Sequence, residues 1–139
     1  MRPAWIEIDL AALRANVARF RQMAGPSSSV CAVVKGNAYG HGAEECSRAA
    51  LEAGADCLAV AMVCEAQALR DAGIQAPIII LGESSPENAP DVLAARATAA
   101  VATMESAEAL SGAGIAAGRP AEVHVKVDSG MGRQGIRWD

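Results

Sequence analysis

One lysine stands where an apolar run ends and a glycine-rich loop begins. In the stretch AVVKGNAYGHGA, residues 32–43, Lys35 follows the apolar residues and precedes three glycines. A lysine at the end of a buried strand is partly shielded from water, which favours the neutral amine that attacks a carbonyl carbon. Tyr39, four residues further on, offers a hydroxyl that can donate a hydrogen bond to an anionic group. These residue types are suited to carbonyl chemistry with Lys35 as the nucleophile.

The same residues also have a simpler interpretation. A lysine at a strand end can extend its side chain to solvent while the glycines form an ordinary turn. The loop is not a Walker A phosphate loop, because that motif places its lysine after the glycines and follows it with Ser or Thr. Residue types alone leave both interpretations of Lys35 open.

A second glycine-rich stretch lies near the other end of the sequence. VKVDSGMGRQG, residues 125–135, contains GxGxxG after an apolar run, a pattern that can indicate a dinucleotide-binding turn. Such a turn also needs a following helix and an acidic residue about 20 positions further on, whereas the sequence stops at Asp139. The stretch also holds Lys126 and Arg133, and a guanidinium suits a carboxylate because it offers paired hydrogen bonds. Solvent-facing charges are the simpler interpretation of both.

The elements that must position these residues alternate between apolar runs and helical patterns, which is typical of a parallel sheet with crossover helices. Strands are predicted at residues 5–8, 29–35, 56–62, 76–82, 97–103 and 121–127. Helices are predicted at residues 10–23, with Asp9 as N-cap, and at 44–52, 64–73, 91–95 and 105–110. Six strands fit either a small doubly wound domain or part of a (β/α)8 barrel, which typically takes about 250 residues. In both folds the chemistry lies at the carboxyl ends of the strands, where Lys35 is expected.

Composition excludes several classes of protein. A chain of 139 residues with 52% hydrophobic residues can form one domain with a sizeable core. A net charge of -4 without a basic block argues against nucleic-acid binding. No apolar run approaches the roughly 18 residues of a membrane helix, and no signal peptide is recognisable. We therefore expect a cytoplasmic protein that acts on a small molecule.

The cysteines and histidines do not form a metal-binding pattern. The four cysteines contain no CxxC pair, and Cys31 and Cys57 fall in strand-like runs. The two histidines, His41 and His124, are far apart in the sequence. We therefore expect buried, reduced thiols, no disulfides and no metal site.

Both glycine-rich stretches resemble motifs of one family. AVVKGNAYGHGA closely resembles the lysine motif of the alanine racemases, usually written VVKANAYGHG, and KVDSGMGRQG resembles their signature KVDTGMGRLG. WIEIDLAALRANV is also similar to that family's N-terminus, so the resemblance spans essentially the whole chain. Gly36 stands in place of the usual alanine, Ser129 in place of threonine and Gln134 in place of leucine. The resemblance implies that residues 1–139 are the parallel α/β N-terminal part of a (β/α)8 barrel domain that binds pyridoxal 5'-phosphate (PLP).

The resemblance also implies roles for individual residues. Lys35 would hold PLP covalently and act as one of two acid/base groups. Tyr39 would contact the PLP phosphate, and Val33 and Leu81 would line the cofactor pocket.

Two further roles follow from the second motif. Lys126 would be carbamylated, which makes it an anionic partner for the guanidinium of Arg133. Arg133 would contact the PLP hydroxyl and the carboxylate of the substrate.

The implied reaction interconverts L-alanine and D-alanine, the latter for cell-wall peptidoglycan, by removing and returning the Cα proton. Inversion needs an acid/base group on each face of the carbon. In alanine racemases the second group is a tyrosine from the C-terminal domain of the partner subunit, which implies a homodimer. Tyr39 is the single tyrosine of this chain and is already assigned to the phosphate.

We therefore expect these residues to be a fragment of an alanine racemase, without the C-terminal half of the barrel and without the β-domain. Such a fragment would be inactive alone, would bind PLP poorly and would associate through its open sheet.

Other functions stay open at this point. A non-catalytic PLP-binding barrel protein shares the strand-end lysine but has a different later motif. The sequence AYGHG after Lys35 differs from the residues beside the cofactor lysine of decarboxylases with the same type of barrel, which argues against that activity. A small doubly wound nucleotide-binding domain is supported only by the length of the chain. Racemases for serine or lysine share these N-terminal motifs, so alanine is an expectation.

Overall fold

A parallel sheet of five strands forms the centre of the molecule. The computed structural model describes residues 4–138, and consecutive strands of this sheet are joined by helices. The strands are β1 (Cys31–Val33), β2 (Cys57–Val60), β3 (Ile78–Glu83), β4 (Thr98–Val101) and β5 (Val123–Val125). They are hydrogen-bonded in the order β1-β2-β3-β4-β5, and each neighbouring pair is parallel.

The strand order decides between the two predicted architectures. A doubly wound sheet reverses its strand order at a switch point, whereas a (β/α)8 barrel adds each new strand beside the previous one. The observed order contains no reversal. The predicted N-terminal part of a barrel is therefore confirmed, and the doubly wound alternative is wrong.

Five helices in residues 4–138 begin within two residues of their predicted starts, and a sixth, at Lys35–Gly40, is not predicted. They are α1 (Leu10–Ala24), α2 (Lys35–Gly40), α3 (Ala43–Glu52), α4 (Val63–Asp71), α5 (Ala89–Ala94) and α6 (Met104–Ala116), with a 3-10 turn at Pro86–Asn88. Asp9 caps α1 as predicted, because its Oδ1 accepts the amides of Ala11 at 2.8 Å and Ala12 at 3.0 Å. No helix in residues 4–138 has the length and apolar character to cross a membrane.

Two further short segments differ from the prediction. Residues 5–8 form no strand, and the side chains of Trp5 and Ile6 are 73% and 79% exposed. An alternating pattern predicts a strand only if a neighbouring strand is available for pairing, and none lies beside these residues in the described chain. At the other end, β6 (Val127–Asp128) pairs with the unpredicted strand β7 (Ile136–Arg137).

The two faces of the five-stranded sheet differ in burial. Leu58, Val60 and Ile80 point to the helices and are at most 1% exposed. Val33 and Leu81 follow the register onto the other face and are 41% and 37% exposed. The hydrophobic core therefore lies between the sheet and its helices, whereas the opposite, open face is partly exposed at Val33 and Leu81 but buried at the small side chain of Ala59.

The cysteines are all free, as predicted, but only Cys46 is buried. Cys31 is exposed because it lies on the open face of the sheet, two residues before Val33. Cys64 is exposed in the first turn of α4, and Cys57 is half-buried. The prediction of buried thiols is therefore wrong for Cys31 and Cys64. No group of three or more metal-ligating side chains occurs within residues 4–138.

Candidate active site

Lys35 lies at the carboxyl end of β1, and hydrogen bonds fix its main chain on both sides. The preceding amide, of Val34, donates to the carbonyl oxygen of Ala59 in β2 at 2.8 Å. The following amide, of Gly36, donates to Oε1 of Glu65 in α4 at 2.6 Å. The Lys35 side chain is half-buried. Lys35 therefore occupies the predicted strand end, with a main-chain position set by β2 and α4.

The loop after Lys35 is a single turn of left-handed helix. Gly36, Asn37, Ala38 and Tyr39 have φ values of 61°, 55°, 52° and 54°. The Ala38 amide closes the turn on the carbonyl oxygen of Val34 at 2.8 Å. A left-handed conformation costs a residue with a Cβ atom roughly 1–2 kcal/mol, so contacts with the surrounding structure must hold this turn.

Side chains of the loop supply part of this support. Asn37 Oδ1 accepts the Ala43 amide at 2.8 Å, which fixes the turn against the start of α3. The Ala38 side chain is 8% exposed and packs in the core. The ring nitrogen Nδ1 of His41 lies 3.0 Å from the carbonyl oxygen of Ala38. Strained backbone held by several contacts is frequent at functional sites.

The turn presents Tyr39 to solvent at the same edge of the sheet. Its side chain is 63% exposed, and within residues 4–138 its hydroxyl has no hydrogen-bond partner. The Tyr39 side chain is therefore accessible at the edge of the sheet where Lys35 lies.

The second predicted motif approaches this edge through Lys126. The Lys126 amide donates to the Val101 carbonyl oxygen at 2.8 Å, which extends the pairing of β5 with β4. The Nζ atom donates to the Leu81 carbonyl oxygen at 3.3 Å and to Gln134 Oε1 at 3.4 Å. Lys126 and Leu81 are thus brought together at the end of β3.

Arg133 lies in the exposed loop between β6 and β7. Within the described residues its guanidinium has no hydrogen bond or ion pair, so the Lys126–Arg133 pair implied by the resemblance is not formed. Both unmodified side chains are cations and repel each other, whereas the oxygen atoms near Lys126 attract its ammonium group.

Asp128 shapes the glycine loop that carries Arg133. Its Oδ1 accepts the amides of Gly130 and Gly132, each at 3.0 Å, and these amides, that of Gly132 first, lower the pKa of the carboxyl. Gly135 passes close to this residue, because a Cβ atom there would lie 2.4 Å from the Asp128 amide nitrogen. A strand, β7, follows the glycines where a dinucleotide-binding turn has a helix. The loop geometry therefore argues against dinucleotide binding.

Two carboxylates hold the loops of this edge, and neither was identified from the sequence. Besides the Gly36 amide, Glu65 accepts the amides of Ala61 at 2.7 Å and Met62 at 3.1 Å through Oε2. Partial burial opposes ionisation of Glu65, but the three amides and the nearby Lys35 ammonium outweigh this effect and lower the pKa of its carboxyl. An acidic residue in the first turn of a helix often accepts the amide of the N-cap residue, so the contact of Glu65 with Met62 can be predicted from the sequence. The contact with Gly36 cannot be predicted in this way.

Glu83, the last residue of β3, holds the loop after β4 in the same way as Glu65 holds the loop after β2. Its Oε1 accepts the amides of Ala102 at 3.0 Å and Thr103 at 2.9 Å, and the Thr103 hydroxyl at 2.8 Å. The Ala102 amide contributes most to a lowered pKa of this carboxyl, and the Thr103 contacts outweigh the opposing effect of burial. No sequence pattern indicates these contacts, because they join the end of β3 to the separate loop after β4.

The sequence and the fold are similar to those of known racemases. The family model described as alanine racemase, N-terminal domain, matches residues 8–139. The alanine racemase of Desulforamulus reducens is 47% identical over 137 residues, which cover 99% of this chain and 37% of that protein.

Solved structures agree with this similarity. The alanine racemase of Streptomyces coelicolor A3(2) superimposes with a TM-score of 0.89 and 43% identity, covering 95% of this chain and 35% of that chain. The histidine racemase of Leuconostoc mesenteroides subsp. sake gives a TM-score of 0.83 and 30% identity, covering 92% of this chain and 34% of that chain. The present chain therefore spans about a third of the length of the proteins it matches.

Proposed function

Since the chain belongs to the alanine racemase family, matched over residues 8–139 by the model of its N-terminal domain, we propose that it carries the cofactor lysine of a PLP-dependent alanine racemase. The observation that carries this proposal is the placement of Lys35. Its half-buried side chain lies at the carboxyl edge of an open parallel sheet, at the start of a turn that presents the exposed Tyr39 side chain.

The side chains at this edge fit PLP in their chemistry. Lys35 supplies the primary amine that binds an aldehyde, and Tyr39 supplies a hydrogen-bond donor for a phosphate. Val33 and Leu81 are apolar and partly exposed on the open face of the sheet, where a flat aromatic ring can pack. Arg133 is exposed and unpaired within the described residues, so its guanidinium is available to a carboxylate.

When bound, PLP withdraws electrons from the amino acid and makes its Cα proton acidic. The Lys35 amine would accept or deliver the Cα proton on one face of the carbon, while a second group would act on the opposite face. Tyr39 would fix the phosphate, and Arg133 would orient the substrate carboxylate. Carbamylation of Lys126 would replace a cation by an anion and so attract Arg133 towards the site.

Alanine is the proposed substrate, because the similar proteins of Desulforamulus reducens and Streptomyces coelicolor A3(2) are named alanine racemases. The name of the histidine racemase indicates that another substrate is compatible with this part of the fold. Tyr39 is the single tyrosine of the chain, so we propose that the second acid/base group comes from outside residues 1–139. A partner subunit in a homodimer is the proposed source, and a cytoplasmic location stays a prediction.

The proposal is tested by following Cα-proton exchange and racemisation of alanine in ²H₂O with the whole protein and PLP. We expect both activities in the unchanged protein and their loss in Lys35→Arg, which keeps the charge but not the reactive amine. PLP bound at Lys35 without any Cα-proton exchange would instead indicate a non-catalytic PLP-binding protein. Racemisation retained by Lys35→Arg would contradict the assignment of Lys35.

A further inference from the structure

A single carboxylate connects the lysine-bearing turn to the neighbouring strand and helix. Glu65 lies in the first turn of α4, and its two oxygen atoms face different segments. Oε1 accepts the Gly36 amide at 2.6 Å, whereas Oε2 accepts the amides of Ala61 and Met62 at 2.7 Å and 3.1 Å. Hydrogen bonds to an ionised acceptor are stronger than those between neutral groups. The carboxylate thus joins the start of α2 to the end of β2.

The Gly36 contact acts directly beside the proposed cofactor lysine. The Val34 amide is tied to β2 through Ala59, and the Gly36 amide is tied to α4 through Glu65. The amide of the residue before Lys35 and the amide of the residue after it are therefore held by the same β2–α4 unit. Without Glu65, the contact on the carboxyl side of Lys35 is lost.

The turn needs this contact because its conformation is costly. Three of its four left-handed residues, Asn37, Ala38 and Tyr39, carry a Cβ atom. Gly36 is the first residue of the turn, so its amide determines the direction in which the chain leaves Lys35. A contact at this amide fixes the start of the turn, and the Asn37 bond to Ala43 fixes the other side.

Helix capping alone does not account for Glu65. An acidic residue at this helix position normally accepts the amide of the N-cap residue, here Met62, and Oε2 makes that contact. Oε1 is not needed for capping and contacts a residue of a different loop. Its negative charge also lies close enough to the Lys35 ammonium to interact with it.

We propose that Glu65 is a positioning residue for Lys35, which orients the cofactor-binding amine by holding the Gly36 amide. The inference rests on the proposed function, because it assigns to Glu65 a role toward the PLP-binding lysine. The proposed role of Glu65 acts through the Gly36 amide.

Glu65→Gln is the informative variant, and Glu83→Gln is its matched control. Both substitutions keep the size of the side chain and remove its negative charge. Each of the two carboxylates accepts two backbone amides of one loop at the same edge of the sheet. Only Glu65 contacts the turn that carries Lys35. The side chain of glutamine has one oxygen atom that accepts hydrogen bonds and one nitrogen atom that only donates them. The backbone amides around Glu65 therefore lose at least one acceptor in this variant.

Two measurements are made on the whole protein. The first is hydrogen exchange of the Gly36 amide, with the Val34 amide of the same sample as internal reference. The second is the rate at which PLP is captured at Lys35 after borohydride reduction. We expect Glu65→Gln to speed Gly36 exchange about tenfold, without a change at Val34, and to slow capture about tenfold. Glu83→Gln should leave both values unchanged within about twofold.

The possible outcomes separate this inference from the proposed function. Faster exchange at Val34 as well as Gly36 in Glu65→Gln would mean general unfolding and would overturn the inference. Faster Gly36 exchange with unchanged PLP capture would also overturn it, because Glu65 would then support only the loop. If the unchanged protein does not capture PLP at Lys35, the proposed function fails, whereas the exchange data still test the Glu65–Gly36 contact.

Discussion

The position of Lys35 results from contacts made by its two neighbours in the chain. The amides of Val34 and Gly36 bond to β2 and to Glu65, so the residue before and the residue after Lys35 are both fixed. The motif was sufficient to predict Lys35 at a strand end with Tyr39 on a loop after it. Glu65 was not predictable, because a hydrogen bond between distant segments leaves no periodic pattern in the sequence. The exposure of Cys31 could not be predicted either, because an apolar run does not reveal which face of a sheet is covered.

The Glu83 carboxyl makes a pH-dependent contribution to stability. Its pKa is lowered in the folded state, so its stabilisation is fully present above the ordinary value of 4.5 and is lost as the pH falls through the lowered folded value. Glu83→Gln cannot titrate at this position. We therefore expect Glu83→Gln to lose less free energy of unfolding between pH 6 and about pH 3 than the unchanged protein. Urea unfolding at both pH values measures this difference, and an equal loss in the two proteins would contradict it.

The helices and central strands of this chain follow from local patterns, whereas two elements depend on more distant contacts. Asp9 and the spacing of apolar residues correctly predicted α1, because capping and amphipathic packing are local. The left-handed turn α2 was not predicted, since its conformation depends on contacts with β2, α3 and α4. Residues 5–8 have the pattern of a strand but no pairing partner within the described chain.

Two glycines of α6 should respond in opposite ways to substitution by alanine. A Cβ atom at Gly114 would lie 2.9 Å from the carbonyl oxygen of Arg119, because the chain after the helix passes directly against it. A Cβ atom at Gly112 would meet no atom within 4 Å. We expect Gly114→Ala to destabilise the protein by about 1–3 kcal/mol through overpacking. Gly112→Ala should stabilise it by up to about 1 kcal/mol through higher helix propensity.

Urea unfolding of the two variants under identical conditions tests this expectation. Equal effects of the two substitutions would show that the contact between α6 and the following chain is not close.

At the scale of the whole molecule, the order of the strands and the open face of the sheet decide the architecture. The alternation of strands and helices predicted a parallel sheet but did not decide between a barrel and a doubly wound domain, because both share that alternation. The sequential order of β1 to β5 shows the barrel pattern. The open face of the sheet explains the partial exposure of Val33 and Leu81.

The isolated polypeptide of residues 1–139 is expected to associate with itself. β5 lies at an edge of the sheet, where Val123 and Val125 are 44% and 64% exposed, and an apolar strand edge favours pairing with another chain. Sedimentation velocity should therefore show species larger than a monomer. Val125→Lys should reduce this association, whereas Met104→Lys, at a 73% exposed position on α6, should not. A monomer at all concentrations would contradict the expectation.

The most direct test of the central claim is to map where PLP becomes attached after borohydride reduction of its complex with the protein. Lys35 and Lys126 are the two lysines of residues 1–139, so two peptides carry all side-chain amines of this part of the protein. We expect the label on the peptide that contains Lys35, its loss in Lys35→Arg and its retention in Lys126→Arg. Label that is absent from Lys35, or that is equally divided between Lys35 and Lys126, would contradict the account.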